Sequence, residues 1–304
     1  MTHLTPDRCL LADLGVIAIR GADARKFLQG QLSQDVLGLR ADRVELAGLH
    51  NPQGRVLALL RLVPDDASDV LCVLPRELVT ETTTLLRKFL LRAKATVTDE
   101  SAHWQIEGLT DDPALDRAVG AARRVGDALY WRHAADGRVL CLQRAVGTQE
   151  TAPVTDTTAA ARWALADIAT GLPEITLATR GEFVAQMLNL DVLGGISFTK
   201  GCYTGQEVVA RAHYRGRVKR RVQRFRAYGA TTLAAGQKIT LEVTQQAQSL
   251  FRSAQIVNVF TSATATEFLA VTAFDTSETS TETAPGDSPA LAVEQLPMSY
   301  SLPD

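Results

Sequence analysis

Hydrophobic and polar positions follow several distinct rhythms along this chain, and each rhythm predicts an element. "LGVIAIRG" at 14–21 is a compact β-branched run and reads as a strand, after which "DARKFLQGQLSQDVLGL" at 23–39 begins a helix that Asp23 can cap. "RVELAGLHNPQGRVLALLRLV" at 43–63 reads as an antiparallel hairpin. Its "NPQG" turn combines the preset φ of proline with a glycine able to take a positive one. "SDVLCVLP" at 68–75 adds a strand. From Pro75 to about Lys94 the period changes to 3.6, with Leu78, Val79, Leu85, Leu86, Phe89 and Leu90 on one face. Glu77 and Glu81 precede Arg87, Lys88, Arg92 and Lys94 there, the order a helix macrodipole favours.

Further strands follow in "SAHWQIEGL", "ALYWRHA" and "GRVLCLQR", the last two joined by an "ADG" turn. A second helix is predicted over 157–170, stopped by Gly171 and Pro173. Short alternating stretches then take over ("QKITLEV", "AQIVNVF", "TEFLAVTAF") and predict a small all-β unit. Within it the Ser/Thr-rich segment 275–289 is almost free of large apolar side chains and reads as a mobile loop. This order argues an α+β fold with mostly antiparallel sheets, divided into residues 1–220 and an all-β unit at 221–304.

The chain has 304 residues, 46% hydrophobic, and a net charge of −2, so it can fill sizeable cores and has no global pull toward nucleic acid or anionic membrane. No run of eighteen apolar residues and no leader pattern occurs, which reads as a cytoplasmic protein without a membrane partner. Cys9, Cys72, Cys141 and Cys202 are too scattered for a zinc site or a disulfide framework, and no metal site is expected. Cys72 and Cys141 lie in apolar runs and read as small buried hydrophobes.

Cys202 differs. In "FTKGCYTGQEVVAR" at 198–211, Thr204 and Glu207 match a capping box, predicting a helix from Gly205. Cys202 then sits just outside a helix N-terminus, where unpaired N–H groups and Lys200 favour a thiolate, while Gly201 and Gly205 strip side chains from its surroundings. Two readings stay open: a reachable, partly ionised sulfur, or a turn in which the cysteine is incidental. His213, eleven residues on and mostly along a helix, is too far for a Cys–His pair, so a thiol hydrolase is disfavoured. Arg211 to Arg226 holds eight Lys/Arg and no acid, either a polyanion contact or a solvated face.

"GGISFTKGCYTGQEVVARAHYRG" resembles the signature of the YgfZ family, folate-binding proteins related to the glycine-cleavage aminomethyltransferase, whose hallmark is K-G-C-Y-x-G-Q-E. All seven defined positions are present as Lys200, Gly201, Cys202, Tyr203, Gly205, Gln206 and Glu207. "GADARKFLQGQLSQDV", "NPQGRV" and the terminal "YSLPD" resemble family segments in the same order. The resemblance implies two related ferredoxin-like-type α+β subdomains and a C-terminal β-barrel in a ring-like arrangement, monomeric, with tetrahydrofolate in the central opening. It also implies a role supporting iron–sulfur proteins, including enzymes that thiolate tRNA.

On this resemblance Cys202 is the reactive thiol, with Lys200 and Glu207 beside it. Trp163, Leu14, Gly201, Tyr203, Gln206 and Arg211 contact the folate. Trp163, by periodicity alone a core residue on a helix face, becomes part of the folate pocket. Two departures stand out: Leu14 replaces an aromatic, and Phe183, Val184, Ala185 and Gln186 lack the proline usual at the third position. The alternative function is a folate-dependent one-carbon transferase, which needs a carboxylate beside the folate nitrogen. Asp167 and Glu182 are the candidates by position in the chain.

Overall fold

The computed structural model describes residues 8–145, 157–216, 218–229, 231–245, 248–273 and 290–303. The predicted mobile segment 275–289 lies outside the described residues.

The chain opens with β1 (Arg8–Leu10) and β2 (Leu14–Arg20), then the short helix α1 (Ala24–Gln29). β3 (Glu45–His50) and β4 (Val56–Pro64) form the expected hairpin, with Gly54 at φ 71° in its turn. After β5 (Val70–Pro75), a 3-10 turn at Arg76–Leu78 leads into α2 (Val79–Phe89) and β6 (Thr96–Asp99). These strands make a sheet in the order β3-β4-β5-β2-β6, all pairs antiparallel. The second sheet is built from β7 (Trp104–Leu109), β8 (Ala122–Val125), β9 (Ala128–Arg132) and β10 (Val139–Arg144), with β1 on its edge.

Alternation along the strands divides the first sheet's side chains between two cores. Val16, Ala18, Val63 and Val73 face the second sheet, meeting Trp104, Ile106, Trp131 and Leu140. Ile17, Ile19, Leu60 and Leu62 face the other way, onto Leu28 of α1, Leu86 of α2, Phe183 and Leu188. Helix α3 (Thr157–Thr170) follows, and a 3-10 turn at Ala185–Leu188 and α4 (Gln206–Tyr214) lead into the barrel. β11 (Arg220–Tyr228), β12 (Lys238–Gln245), β13 (Gln248–Thr261), β14 (Ala265–Ala273) and β15 (Leu291–Leu296) close in the order β11-β14-β13-β12-β15 around Phe225, Leu241, Ile256 and Phe268. The α+β class with an all-β C-terminal unit is thus as the patterns predict, and Cys72 and Cys141 are buried as expected.

Three helix readings need correction. Asp23 stands at the N-cap of α1 but makes no capping bond; its Oδ2 instead accepts from the Lys94 N–H at 2.8 Å, tying the α1 start to the loop after α2. Pro75 ends a strand rather than opening a helix, α2 stops at Phe89, and Phe89 itself is exposed despite its periodic position. Thr204 does not cap α4, because Gly205 takes a left-handed conformation (φ 82°) and the helix begins one residue later. Gln206, not Glu207, reaches back, its Oε1 accepting from the Tyr203 N–H at 3.3 Å.

The C-terminal carbonyls of α3, orphaned in any helix, are satisfied from the barrel side. Arg224 donates to the Ala169 carbonyl, Ser299 Oγ to that of Thr170 at 2.7 Å and Tyr300 Oη to that of Gly171 at 2.7 Å. Gly171, at φ 76°, is the left-handed stop expected there. Among the described residues no helix is long and apolar enough to cross a membrane.

Candidate functional site

Where the two sheets, α3 and the barrel meet, they enclose a cavity of about 530 Å³. One wall is a helical stripe: Ala160, Trp163, Ala164, Asp167 and Ile168 of α3 recur at the spacing that brings residues onto one face. The alanines leave room, and the tryptophan and aspartate fill the stripe with chemistry. The opposite wall is apolar, from Leu10, Leu11 and Leu14. Leu14 and Trp163, expected from separate parts of the chain, are therefore brought together.

Trp163 is clamped rather than free. Its ring lies against Gly108 of β7, where any Cβ would collide with it, and the Arg138 guanidinium sits 4.5 Å from its centroid. His133 stacks on it at 5.4 Å and 30°. Beside it, Asp167 Oδ1 lies 3.0 Å from His133 Nε2 and 2.7 Å from Arg138 Nη2. Burial works to raise the Asp167 carboxyl, but His133, Arg138 and Arg61 outweigh it and hold the group below the ordinary aspartate value. Burial lowers His133, which Asp167 only partly offsets, so the imidazole stays neutral more readily than a free histidine.

A second carboxyl, Glu174, went unnoticed in the sequence. A register shift in β13 between Ile256 and Asn258 re-aims Asn258 toward the cavity, where its side-chain amide bonds both the N–H (2.9 Å) and the C=O (3.0 Å) of Glu174. Arg61 Nη1 holds the Glu174 carboxylate at 2.9 Å. Burial nonetheless pushes the Glu174 carboxyl up, more than Arg61 brings it down, and repulsion from Asp167 adds to the rise. Two carboxyls in one cavity are thus driven in opposite directions. Glu182, the other sequence candidate, lies elsewhere: its Oε2 accepts from Gln255 Nε2 at 3.0 Å.

The signature segment occupies a different place. Gly201, Tyr203, Gln206 and Arg211 do not line the cavity. The start of α4 is pressed against the β3–β4 turn. A Cβ on Gly205 would come within 2.6 Å of the Asn51 carbonyl, and one on Gly54 within 2.6 Å of Val208 Cβ. Both glycines are required by that approach. Gln186, from the turn lacking its expected proline, is buried and donates to the Val209 carbonyl at 2.7 Å, so the turn forms nevertheless.

Cys202 is exposed. Gly201 beside it has open space where a Cβ would go. The Lys200 ammonium donates to the carbonyls of Gln29 (2.6 Å), Leu32 (2.6 Å) and Gln34 (3.0 Å), and burial lowers it to about 8. Tyr203 is buried beneath, 5.9 Å from the His50 ring, and burial pushes its hydroxyl up to about 12. His50 is buried with neither ring nitrogen hydrogen-bonded among the described residues, and burial lowers it to about 4. Glu207 lies exposed in the first turn of α4, and His213 stacks on Phe198 at 3.7 Å.

Much of the basic run is neutralised. Arg221 makes a buried pair with Asp191, and Arg224 and Arg226 share Glu267. Arg211 and Arg215 are exposed on α4 and just after it.

No family model matches the chain. The tRNA-modifying protein YgfZ of Escherichia coli is 31% identical over 248 residues, 77% of this chain and 76% of that protein. The chain belongs to the YgfZ family. An uncharacterised Haemophilus influenzae protein is 30% identical over 235 residues, 77% of this chain and 78% of its own. Among solved structures, the glycine cleavage system aminomethyltransferase T from Bartonella henselae superposes with a TM-score of 0.57 at 11% identity, covering 88% of this chain and 85% of that one. That likeness is one of fold: two α+β sheets and a barrel, an arrangement this YgfZ-family chain shares with an aminomethyltransferase.

Proposed function

We propose that the protein binds tetrahydrofolate in the cavity beside α3 and serves, in the cytoplasm, as an accessory factor for tRNA modification, supporting iron–sulfur enzymes through the exposed Cys202 thiol. The observation that carries this reading is the cavity's combination of an apolar wall, a fixed aromatic and the two tethered carboxyls of Asp167 and Glu174. A pterin is flat and presents amino and ring N–H donors along one edge. Leu11, Leu14 and Trp163 offer its faces apolar contact, and Glu174 and Asp167 are the acceptors suited to that edge. When bound, tetrahydrofolate supplies a one-carbon carrier at its ring and bridge nitrogens. Arg138, His133, Arg61 and Asn258 keep the two carboxyls oriented before any ligand arrives, so little ordering remains to be done on binding.

Cys202 suits contact with a partner protein: the thiol is exposed, no neighbouring side chain crowds Gly201, and the exposed Arg211 and Arg215 nearby in the chain suit an anionic partner such as tRNA. Cys202→Ala is expected to leave folate binding and melting temperature intact while failing to restore tRNA thiolation in cells lacking the protein; full restoration would remove the thiol from the function.

A second reading, a folate-dependent one-carbon transferase, is favoured by one observation. Asp167 is held ionised while Glu174 is pushed toward its protonated form, the separation that an acid and a base in one site need. Absence of turnover with methylene-tetrahydrofolate and amine or thiol acceptors would set it aside.

A further inference from the structure

Three aromatic rings meet at the last turn of α4. His213 stacks on Phe198 at 3.7 Å and 15°. Tyr214 stands across both, its ring at 80° to His213 and 75° to Phe198, with centroids 4.7 and 6.4 Å away. Tyr214 is nevertheless 67% exposed. A large ring held by its neighbours yet left in solvent has lost rotamer freedom before any partner arrives, so contact with it costs little further ordering.

Cations flank that ring. Arg211 lies three residues before Tyr214, on the same face of the helix, and Arg215 follows it directly. Both are exposed and neither makes an ion pair among the described residues, in contrast to Arg221, Arg224 and Arg226. From Phe198 to Tyr228 the one acid is Glu207, in the first turn of α4. Phe198 also fixes where this surface lies. Four residues along the chain bring it to Cys202, so the two backbones stand within about 14 Å, the reach of four extended residues.

A flat ring between two guanidinium groups matches an unpaired nucleotide, whose base has a π-face for Tyr214 and whose flanking phosphates meet Arg211 and Arg215. An acidic polypeptide would meet the cations but offers the ring no flat counterpart, and the stacked bases of a duplex are closed to it. We infer that the last turn of α4 is a stacking platform for a single-stranded stretch of RNA, held alongside the exposed Cys202 thiol. The inference rests on the tRNA reading above and adds that an unpaired base is what the surface takes.

The test is fluorescence anisotropy of the full chain with a fluorescein-labelled ten-nucleotide RNA of mixed sequence, single-stranded or annealed to its complement. The single strand is expected to bind about tenfold more tightly than the duplex. Tyr214→Ala is expected to weaken single-strand binding about tenfold, the loss of one stacked base, while Tyr214→Phe keeps it. Arg215→Gln is expected to lower the slope of log K against log salt by about one. Melting temperatures check that the variants fold; if Tyr214→Ala melts early, Tyr214→Leu, which keeps apolar bulk without the flat ring, reads the same loss. Failure of the single strand to bind overturns the inference, as does equal affinity for the duplex or binding that survives removal of the ring. Displacement by poly-aspartate as effective as by unlabelled RNA also overturns it and assigns the surface to an acidic protein. Restored tRNA thiolation with Cys202→Ala would strike the thiol's role and leave these affinities untouched, so the two failures are told apart.

Discussion

The cavity beside α3 and the segment around Cys202 are both polar and both functional candidates, yet they are built in opposite ways. In the cavity two carboxyls are tethered by other side chains: Asp167 by His133 and Arg138, Glu174 by Arg61, with Asn258 fixing the Glu174 backbone. Around Cys202 the polar groups that hold structure are turned inward, with Lys200 on three backbone carbonyls and Tyr203 buried, while the thiol is left outside. A preorganised interior suits a small ligand that must be oriented. An exposed sulfur on a firmly anchored base suits something too large to enter a cavity.

The sharpest way to break the comparison is to unpair the interior. Asp167→Ala leaves His133 buried without its partner and Arg138 with Asp136 as its remaining carboxylate, and is expected to cost about 3 kcal/mol, read by urea unfolding. A cost near zero would mean that the network is not a coupled unit.

Acid should come next, and from beneath the signature segment. His50 titrates near 4 in the fold against 6.5 ordinarily, so between those values the unfolded chain binds the extra proton. Stability is then lost as pH falls from 6.5 toward 4, by about 3 kcal/mol for a shift of this size. His50→Leu, which cannot take up that proton, should flatten the decline; an unchanged pH profile would show that other groups govern it.

The smallest pair of effects separates the two glycines flanking Cys202. Gly205→Ala places a Cβ against the Asn51 carbonyl at a positive φ and should cost about 1–3 kcal/mol. Gly201→Ala meets open space and should change stability by less than about 0.5 kcal/mol. Equal melting temperatures for the two variants would contradict the packing of α4 on the β3–β4 turn.

Strands were the most legible part of the sequence, because alternation and β-branched runs are local signals: "LGVIAIRG" and "VLCVLP" became β2 and β5 with little change. The limits of α3 were legible too, but periodicity alone put Trp163 in the core, and only the family resemblance put it in a pocket. Glu174 was not legible, for its role depends on Arg61 in β4 and on a register shift at Asn258, both far away in the chain. The capping box at Thr204 failed for a related reason. Contact with the hairpin turn demands a left-handed glycine at 205, and tertiary packing overrode the local signal. Nor could sequence show what holds Lys200, whose ammonium donates to the Gln29 and Leu32 carbonyls some 170 residues earlier in the chain.

The capping of α3 by Ser299 and Tyr300 has a consequence in time as well as in space. The wall that carries Trp163 and Asp167 is laid down in mid-chain, but its last turn is closed by side chains made about 130 residues later, after every strand of the barrel. A chain emerging from the ribosome therefore carries its pocket half-finished until the segment beyond β15 has followed.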